Sequence, residues 1–397
     1  MLTLSSIPMS SPDLTDAEIA AVNQVLQTPM LSIGPQITAF EQALASRAGT
    51  RHAVGVNSGT SGLHLCVIAA GVGEGDLVLT PSFSFIASAN CILYERGVPV
   101  FIDVDPATGN INPALVAEAA EDLMRGGKAA ERWLPRAVRD GSRPVGQLKA
   151  LLPVHAFGQP ADVDPLLSVA RSHGLAVIED ACEAIGATYK GRTAGSLGDA
   201  AVFAFYPNKQ VTTGEGGMIV TNHDAWADIF RSLRNQGRDV FDAWLNHTRL
   251  GYNYRMDELS AALGLAQIKR LDELLAKRAQ VAQWYDERLA DIELVERPFI
   301  AATTTRMSWF VYVVRIKPPA SRDEVLARLA DVGVPSRPYF TPIHLQPFYQ
   351  RQFGYQRGDL PVTEYLGDVS LALPFSGVMR EEQVDYVCAQ LRHSLER

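Results

Sequence analysis

Ala201-Val-Phe-Ala-Phe-Tyr-Pro-Asn-Lys209 runs without a break into Gln210-Val-Thr-Thr-Gly-Glu-Gly-Gly217. The first half is an apolar run of strand length; Pro207 and the glycines beyond it stop the run, and the lysine falls at the stop. An amine at the end of an apolar strand has given up part of its hydrating water. Such an amine is easier to leave neutral and nucleophilic, the state that imine chemistry with an aldehyde requires. Taken alone, any lysine reads first as a solvated strand end. Two similar junctions upstream change the odds: Asp180 closes the apolar run Ala176-Val-Ile-Glu-Asp180, and Ser58-Gly-Thr-Ser61 separates a short apolar run from the helical stretch that begins at Leu63.

Working outward, short apolar runs recur at His52 to Val56, Asp76 to Thr80, Val98 to Ile102, Leu151 to His155, Ala176 to Glu179, Ala201 to Phe205 and Gly217 to Thr221. Helical stretches separate them, the first opened by the capping box Thr15-Asp-Ala-Glu18. Two-sided apolar strands alternating with helices predict an α/β unit built on a largely parallel sheet. In such sheets ligands bind outside the carboxyl ends of the strands, so the loops that carry Ser58, Pro81-Ser-Phe83, Asp180 and Lys209 are expected to converge. A helical pattern from Asp257 to about Ala290 then leads to Trp309–Ile316, Arg322–Ala330 and Glu381–Leu391, a smaller α+β unit. The chain of 397 residues therefore divides, in expectation, into a large domain over 1–256 and a connector helix with a small C-terminal domain over 257–397. Residues 121–149 interrupt the rhythm with seven Lys or Arg against four Asp or Glu, and are expected to form a solvated surface insertion rather than a substrate lid.

Hydrophobic residues at 47% and charged residues at 20% match a globular enzyme rather than a disordered or fibrous chain. No apolar run approaches the roughly 18 residues of a membrane span, and Met1-Leu-Thr-Leu-Ser-Ser6 lacks the basic start of a signal sequence, so a cytoplasmic protein without membrane contact is expected. Cys66, Cys91, Cys182 and Cys388 are scattered, which suits free thiols in a reducing compartment. The eight histidines form no ligand-spaced cluster, so no metal is expected, and a net charge of -8 argues against nucleic acid.

In Val56-Asn-Ser-Gly-Thr-Ser-Gly62 a strand gives way to a helix start, whose free amides and positive end suit a phosphate; most such loops are simply caps. Asp180 in a buried strand needs a cation or several donors. A protonated pyridine nitrogen is one such partner, and a cap for the turn Ala181-Cys-Glu-Ala is the equal alternative. Phe83 and Phe85 follow a strand, where a ring can cover a flat cofactor or fill the core. Gly251-Tyr-Asn-Tyr-Arg-Met-Asp257 reads as a helix start.

Four segments, Val56-Asn-Ser-Gly-Thr-Ser61, Ile178-Glu-Asp-Ala-Cys-Glu-Ala-Ile-Gly186, Phe205-Tyr-Pro-Asn-Lys-Gln-Val-Thr-Thr-Gly-Glu-Gly-Gly217 and Gly251-Tyr-Asn-Tyr-Arg-Met256, together resemble the DegT/DnrJ/EryC1/StrS sugar aminotransferases, from about Ile7 to about Leu391. The resemblance implies the aspartate-aminotransferase-like fold (fold type I) with pyridoxal 5′-phosphate (PLP) held as a Schiff base by Lys209. It implies that Asp180 meets the pyridine nitrogen and Phe85 stacks on the ring. Glu183 would stand near the 3-hydroxyl, where the family often has Gln or His. Gly59 and Thr60, with Ser58 beside them, would hold the phosphate. Asn253 would reach the phosphate of the neighbouring subunit's cofactor, implying a homodimer with sites at its interface. Many members carry Ser five residues before the lysine; here Ala204 stands there, leaving Ser58, Ser61 or a water to compensate.

The segment Val334-Pro-Ser-Arg-Pro-Tyr-Phe-Thr-Pro-Ile-His-Leu-Gln346 is similar to the family's sugar-facing loop, so Arg337, Tyr339 and His344 are candidate substrate contacts beside a plain packing role. Arg249, with Arg231, Arg234 and Arg238, is a candidate source of positive charge for a nucleotide diphosphate, although Arg231 and Arg234 read rather as an exposed helix face. The expected reaction moves an amino group, from glutamate by resemblance, to a nucleotide-linked keto-sugar. A keto-inositol acceptor, a sugar dehydratase of the same fold and a non-catalytic PLP-binding regulator are the alternatives. Dehydratases of this kind usually carry histidine in place of the lysine, so Lys209 speaks against that one.

Overall fold

Val98–Ile102 and Gly217–Thr221 are buried at every position, which is the burial expected of strands covered on both faces. They belong to one seven-stranded sheet with the order His52–Val56, Gly217–Thr221, Ala200–Ala204, Ala176–Asp180, Leu148–Leu151, Leu77–Pro81, Val98–Ile102. Only Gly217–Thr221 runs against its two neighbours; the other pairings are parallel. That reversal has a local cause. The Gly-rich stretch after Ala204 folds back at once, so the lysine sits in the loop between two paired strands at the carboxyl end of the sheet. The computed structural model describes residues 7–238 and 246–396; the N-terminal Met1–Ser6 reading lies outside them.

Helix Gly59–Ala69 is buried over eight of its eleven residues and packs against the middle of the sheet. The opposite face is covered by Phe40, Leu271, Leu274 and Leu275. A second sheet, antiparallel throughout, has the order Val295–Glu296, Tyr312–Ile316, Ser370–Leu373, Arg337–Pro338. Helices Arg322–Asp331 and Glu381–Leu395 close its core, and Ile7 from the start of the chain lies in the same cluster. Among the described residues no helix is long and apolar enough to cross a membrane.

Three details differ from the expectations. The long helical pattern is two helices, Glu258–Lys269 and Leu271–Leu289, because Arg270 leaves helical geometry (φ -100°, ψ 8°) and reaches Asp13, Glu18 and Glu273 with its guanidinium. The fourth sheet strand is Leu148–Leu151 rather than Leu151–His155. Pro153 has no N–H to give to a ladder, yet its carbonyl accepts from Asp180 N, and His155 N donates to Asp180 O, so the chain still runs beside Asp180. The insertion is not a free solvated excursion. Arg136 makes a two-pronged pair with Asp359 (2.6 and 2.9 Å), and Arg143 lies 4.4 Å over the Phe353 ring. The charges at 136 and 143 dock it on the C-terminal part of the chain, away from the candidate site.

Beneath the carboxyl end of the sheet lies a buried ionic knot. Glu179 is fully buried and accepts four hydrogen bonds: from His155 Nε2 (2.9 Å), Gly195 N (2.9 Å), Leu197 N (2.7 Å) and Gly198 N (2.7 Å). His155 Nδ1 accepts from Ala161 N at 3.1 Å, so the ring proton is on Nε2 and the imidazole is a neutral donor. Burial alone would raise this carboxyl; the bonds from His155, Gly198 and Gly195 outweigh it and hold the group below the ordinary carboxylate range. The stabilisation is therefore complete at neutral pH and is lost as pH falls through the ordinary carboxylate range toward the lower folded value. Glu179→Gln turns an NH2 toward two of the four donors. We expect a loss of roughly 2–6 kcal/mol, about 1–3 for each buried donor left unpaired, and a flatter acid-side dependence, both measured by urea unfolding at pH 7 and at lower pH.

Candidate active site

Helix Gly59–Ala69 begins where its sequence predicts. Ser58, in extended geometry, accepts from Ser61 N (3.1 Å) and shares a hydrogen bond with Ser61 Oγ (2.8 Å), which in turn donates to Asn57 Oδ1 (2.7 Å). Both serine hydroxyls are committed to this cap. The amides of Gly59 and Thr60, in the first turn, have no acceptor within the helix and stand at its positive end. Neighbouring strand ends press on the loop. A Cβ at Gly59 would lie 2.8 Å from Ala204 Cβ and 2.9 Å from Cys182 Sγ, and one at Gly217 would lie 2.6 Å from the carbonyl carbon of Ser58. Only glycine fits at these two places.

Asp180 ends its strand 5% exposed, with Oδ2 accepting from Ser88 Oγ (2.6 Å) and Oδ1 from Cys182 N (3.1 Å). Ser84 bonds Ser88 from the far side (2.8 Å). The turn-cap alternative is thus real, but it occupies one oxygen. Among the described residues no cation pairs with this carboxylate, which leaves room for a cationic ring nitrogen.

Lys209 Nζ lies 3.5 Å from Glu183 Oε1 and 3.8 Å from the ring centre of Phe310. Glu183 Oε2 accepts from Phe157 N (2.8 Å). Burial raises the Glu183 carboxyl above its ordinary value, and the neighbouring Lys209 opposes that rise. Phe85 is 64% exposed, whereas Phe83 is buried against Phe157 and Phe340, so one of the two phenylalanines is core and the other presents its ring.

These groups meet in one cavity of about 530 Å³ lined by Ser58, Gly59, Thr60, Phe85, Asp180, Glu183, Lys209 and Tyr339, with Ala204 and Phe310. Amides for a phosphate, a carboxylate for a ring nitrogen, an amine for an aldehyde and an open aromatic ring in a single hollow fit PLP. Burial pushes the Tyr339 phenol up to about 12, so it stays protonated at neutral pH.

Four predicted residues lie outside this lining. His344 is a correction: it is fully buried, with Nδ1 on Ser82 Oγ (2.8 Å) and Nε2 on Glu364 (3.0 Å), so neither nitrogen is left for a substrate. Arg337 is exposed next to the lining segment and donates to Ser336 O. Arg249 is exposed and bonds Ser232 Oγ (3.2 Å). Asn253 is exposed, its carbonyl accepting from Asn57 Nδ2 (3.4 Å) beside the Ser58–Thr60 loop. Arg231 pairs with Asp228, Arg234 with Glu41, and Arg238 bridges His247 through its backbone. Sequence reasoning missed Ser88, Phe310 and Arg278. The first two carry no local signal. Arg278 does, because it interrupts the apolar stripe Leu271, Leu274, Leu275, Val281, Ala282, Tyr285 at a position that faces the core.

A profile of the DegT/DnrJ/EryC1/StrS aminotransferase family matches residues 12–392. GDP-perosamine synthase of Caulobacter vibrioides is 41% identical, over 98% of this chain and 99% of its own. The spore coat polysaccharide biosynthesis protein SpsC of Bacillus subtilis is 36% identical over 97% and 96%. DesV of S. venezuelae, solved in complex with a ketimine intermediate, superposes with a TM-score of 0.84 at 32% identity, covering 96% of this chain and 94% of that one.

With both cap serines engaged, Ala204 is the open position beside Gly59. Ala204→Ser adds a donor near the free amides of Gly59 and Thr60. A hydrogen bond to a charged group is worth about 1.5–3 kcal/mol, so we expect PLP to bind roughly tenfold more tightly or better, measured by equilibrium dialysis of the apo-protein.

Proposed function

We infer the substrates from one premise: the chain belongs to the DegT/DnrJ/EryC1/StrS aminotransferase family and is a PLP-dependent sugar aminotransferase. The proposed reaction takes the amino group of L-glutamate and delivers it to the ketone of a GDP-linked keto-sugar, for a polysaccharide or a secondary metabolite. The end-to-end likeness to GDP-perosamine synthase carries this choice of acceptor. A nucleotide-linked acceptor and four free thiols suit the cytoplasm.

In this reading the amides of Gly59 and Thr60 would hold the cofactor's phosphate, Phe85 would cover its ring, and Glu183 would stand near its 3-hydroxyl. Bound PLP supplies an electron sink for the carbanion formed when the donor loses its Cα proton. Asp180, steadied by Ser88, would keep the ring nitrogen protonated so that the sink stays strong. Lys209 would hold the cofactor through its amine and would be the base that takes up and returns the donor's Cα proton. The same groups would serve the amino donor and the sugar ketone in turn.

The lining's charge supports a homodimer. Among the described residues Lys209 is its one cation against Asp180, Glu183 and Glu215, yet the proposed site would have to accept a phosphate and a nucleotide diphosphate. The exposed segment with Arg249, Leu250 (88% exposed) and Asn253 offers what is missing if it enters a neighbour's site: a cation, an amide and an apolar side chain otherwise left in water.

Lys209→Ala should fold and show no turnover; activity in that variant would end the reading. Wild-type protein tested with GDP-, UDP- and dTDP-linked keto-sugars and with a keto-inositol should prefer the GDP sugar. Asn253→Ala should weaken PLP binding. Refolded together, Lys209→Ala and Asn253→Ala chains should regain roughly a quarter of wild-type activity, because half of random dimers carry both lesions in one site and neither in the other. No recovery would overturn the shared site.

A further inference from the structure

Arg278 sits on helix Leu271–Leu289 at a core-facing position and is 4% exposed. A guanidinium taken out of water normally meets a carboxylate, and among the described residues Arg278 forms no ion pair. Its partners are four backbone carbonyls. Nη2 donates to Lys209 O (2.8 Å) and Asn208 O (3.2 Å), while Nη1 donates to Phe310 O (3.1 Å) and Trp309 O (3.4 Å). Burial pulls the group down to about 10, so it remains charged at neutral pH.

The two pairs of carbonyls come from opposite sides of the site. Asn208 and Lys209 belong to the loop after strand Ala200–Ala204, and Trp309 and Phe310 lead into strand Tyr312–Ile316 of the second sheet. Gln210 repeats the tie one residue on, its Nε2 donating to Glu183 O (2.6 Å), Ser308 O (3.0 Å) and Ser308 Oγ (2.9 Å). The side chains that project from these clamped backbones are the ones that meet in the cavity: the amine of Lys209 over the Phe310 ring, with Glu183 beside it.

We propose that Arg278 is a positioning residue for the reacting amine: by clamping the backbone of Asn208 and Lys209 to that of Trp309 and Phe310, it seats Lys209 Nζ on the face of Phe310. The proposal rests on Lys209 being the reacting amine. A planar fork with five donors can serve carbonyls on two sides at once, which the single ammonium of a lysine cannot do with the same geometry. Stability alone gives no reason for the charge, since a helix residue in an apolar stripe is more cheaply a leucine or methionine. A slack clamp lets the amine drift by a fraction of an ångström, and misplacement on that scale is what slows a proton transfer between fixed atoms.

The test uses PLP-loaded protein and two variants, Arg278→Lys, which keeps the charge, and Phe310→Leu, which keeps the clamp and removes the seat. For each we expect kcat with glutamate to fall roughly 10–100-fold, KM for glutamate to change little, and the pH midpoint of the cofactor's visible absorbance to move, with circular dichroism unchanged. A folded Arg278→Lys protein with wild-type kcat and midpoint overturns the proposal, and so does Phe310→Leu with both unchanged. Should Arg278→Lys fail to fold, Phe310→Leu decides. Lys209→Ala, run beside them, separates the failures: if it is inactive while both variants behave as wild type, only the clamp is refuted, and if it is active the assignment of the amine falls.

Discussion

Two carboxylates buried side by side at the end of one strand, Glu179 and Asp180, set the constraint around which the site is built. Successive side chains of a strand point to opposite faces, so neighbours in sequence serve different layers. Glu179 is saturated by four donors and fastens the Gly195–Gly198 loop to His155. Among the described residues Asp180 keeps two donors and no cation, one oxygen held by Ser88 and the other by the turn that follows. The saturated carboxylate fixes the strand end; the unsaturated one is the group a cationic ring can complete. Neither could take the other's place without a one-residue shift of register, which would turn both to the wrong face.

The sheet alone does not make the cavity. Its carboxyl edge supplies the Ser58–Thr60 loop, Asp180 and Lys209, but Phe310 and Tyr339 come from the segments around the second sheet. The two sheets are held together at backbone level. Arg278 and Gln210 bind carbonyls on both sides, and the insertion adds a remote brace through Arg136 and Asp359. Backbone clamps have a geometric advantage over side-chain contacts, because they fix where a side chain starts while leaving its tip free to react. An amine proposed both to hold a cofactor and to carry a proton would need that freedom.

The fold was legible in the sequence where one residue's chemistry sufficed. Short two-sided apolar runs named the sheet, the Ser58 cap named the helix start, and glycines marked the reversal after Lys209. Legibility ended where the partner lay far along the chain. His344 reads as a polar side chain in a proline-rich loop; its meaning comes from Ser82, 262 residues away, and from Glu364. The insertion reads as solvated because Asp359 and Phe353 are invisible from within residues 121–149. Pro153 shortened a strand whose apolar pattern continues past it. Within the site, Lys209 and Asp180 stood out because a charge at the end of an apolar run is costly anywhere. Ser88 and Phe310 did not, because a serine on a helix and a phenylalanine before a strand cost nothing until their neighbours are known.

Charge gives the site its remaining logic. Three carboxylates and one amine line a hollow whose expected occupants are phosphates, so the lining by itself would repel them. Within the chain the opposing attraction is the helix end at Gly59 and Thr60, worth a fraction of a full charge and strongest within the first turn. Ser58 and Ser61 add little, because their hydroxyls already close the cap, and Ala204 adds nothing. A site so arranged is selective through what must be brought to it. On the proposed reading, the chain's own groups would perform the proton chemistry, and exposed arginines such as Arg249, outside the lining of their own cavity, would supply the positive charge. Binding of anionic ligands would then be coupled to assembly, since whatever brought those arginines to the cavity mouth would also make the hollow better able to hold a phosphate.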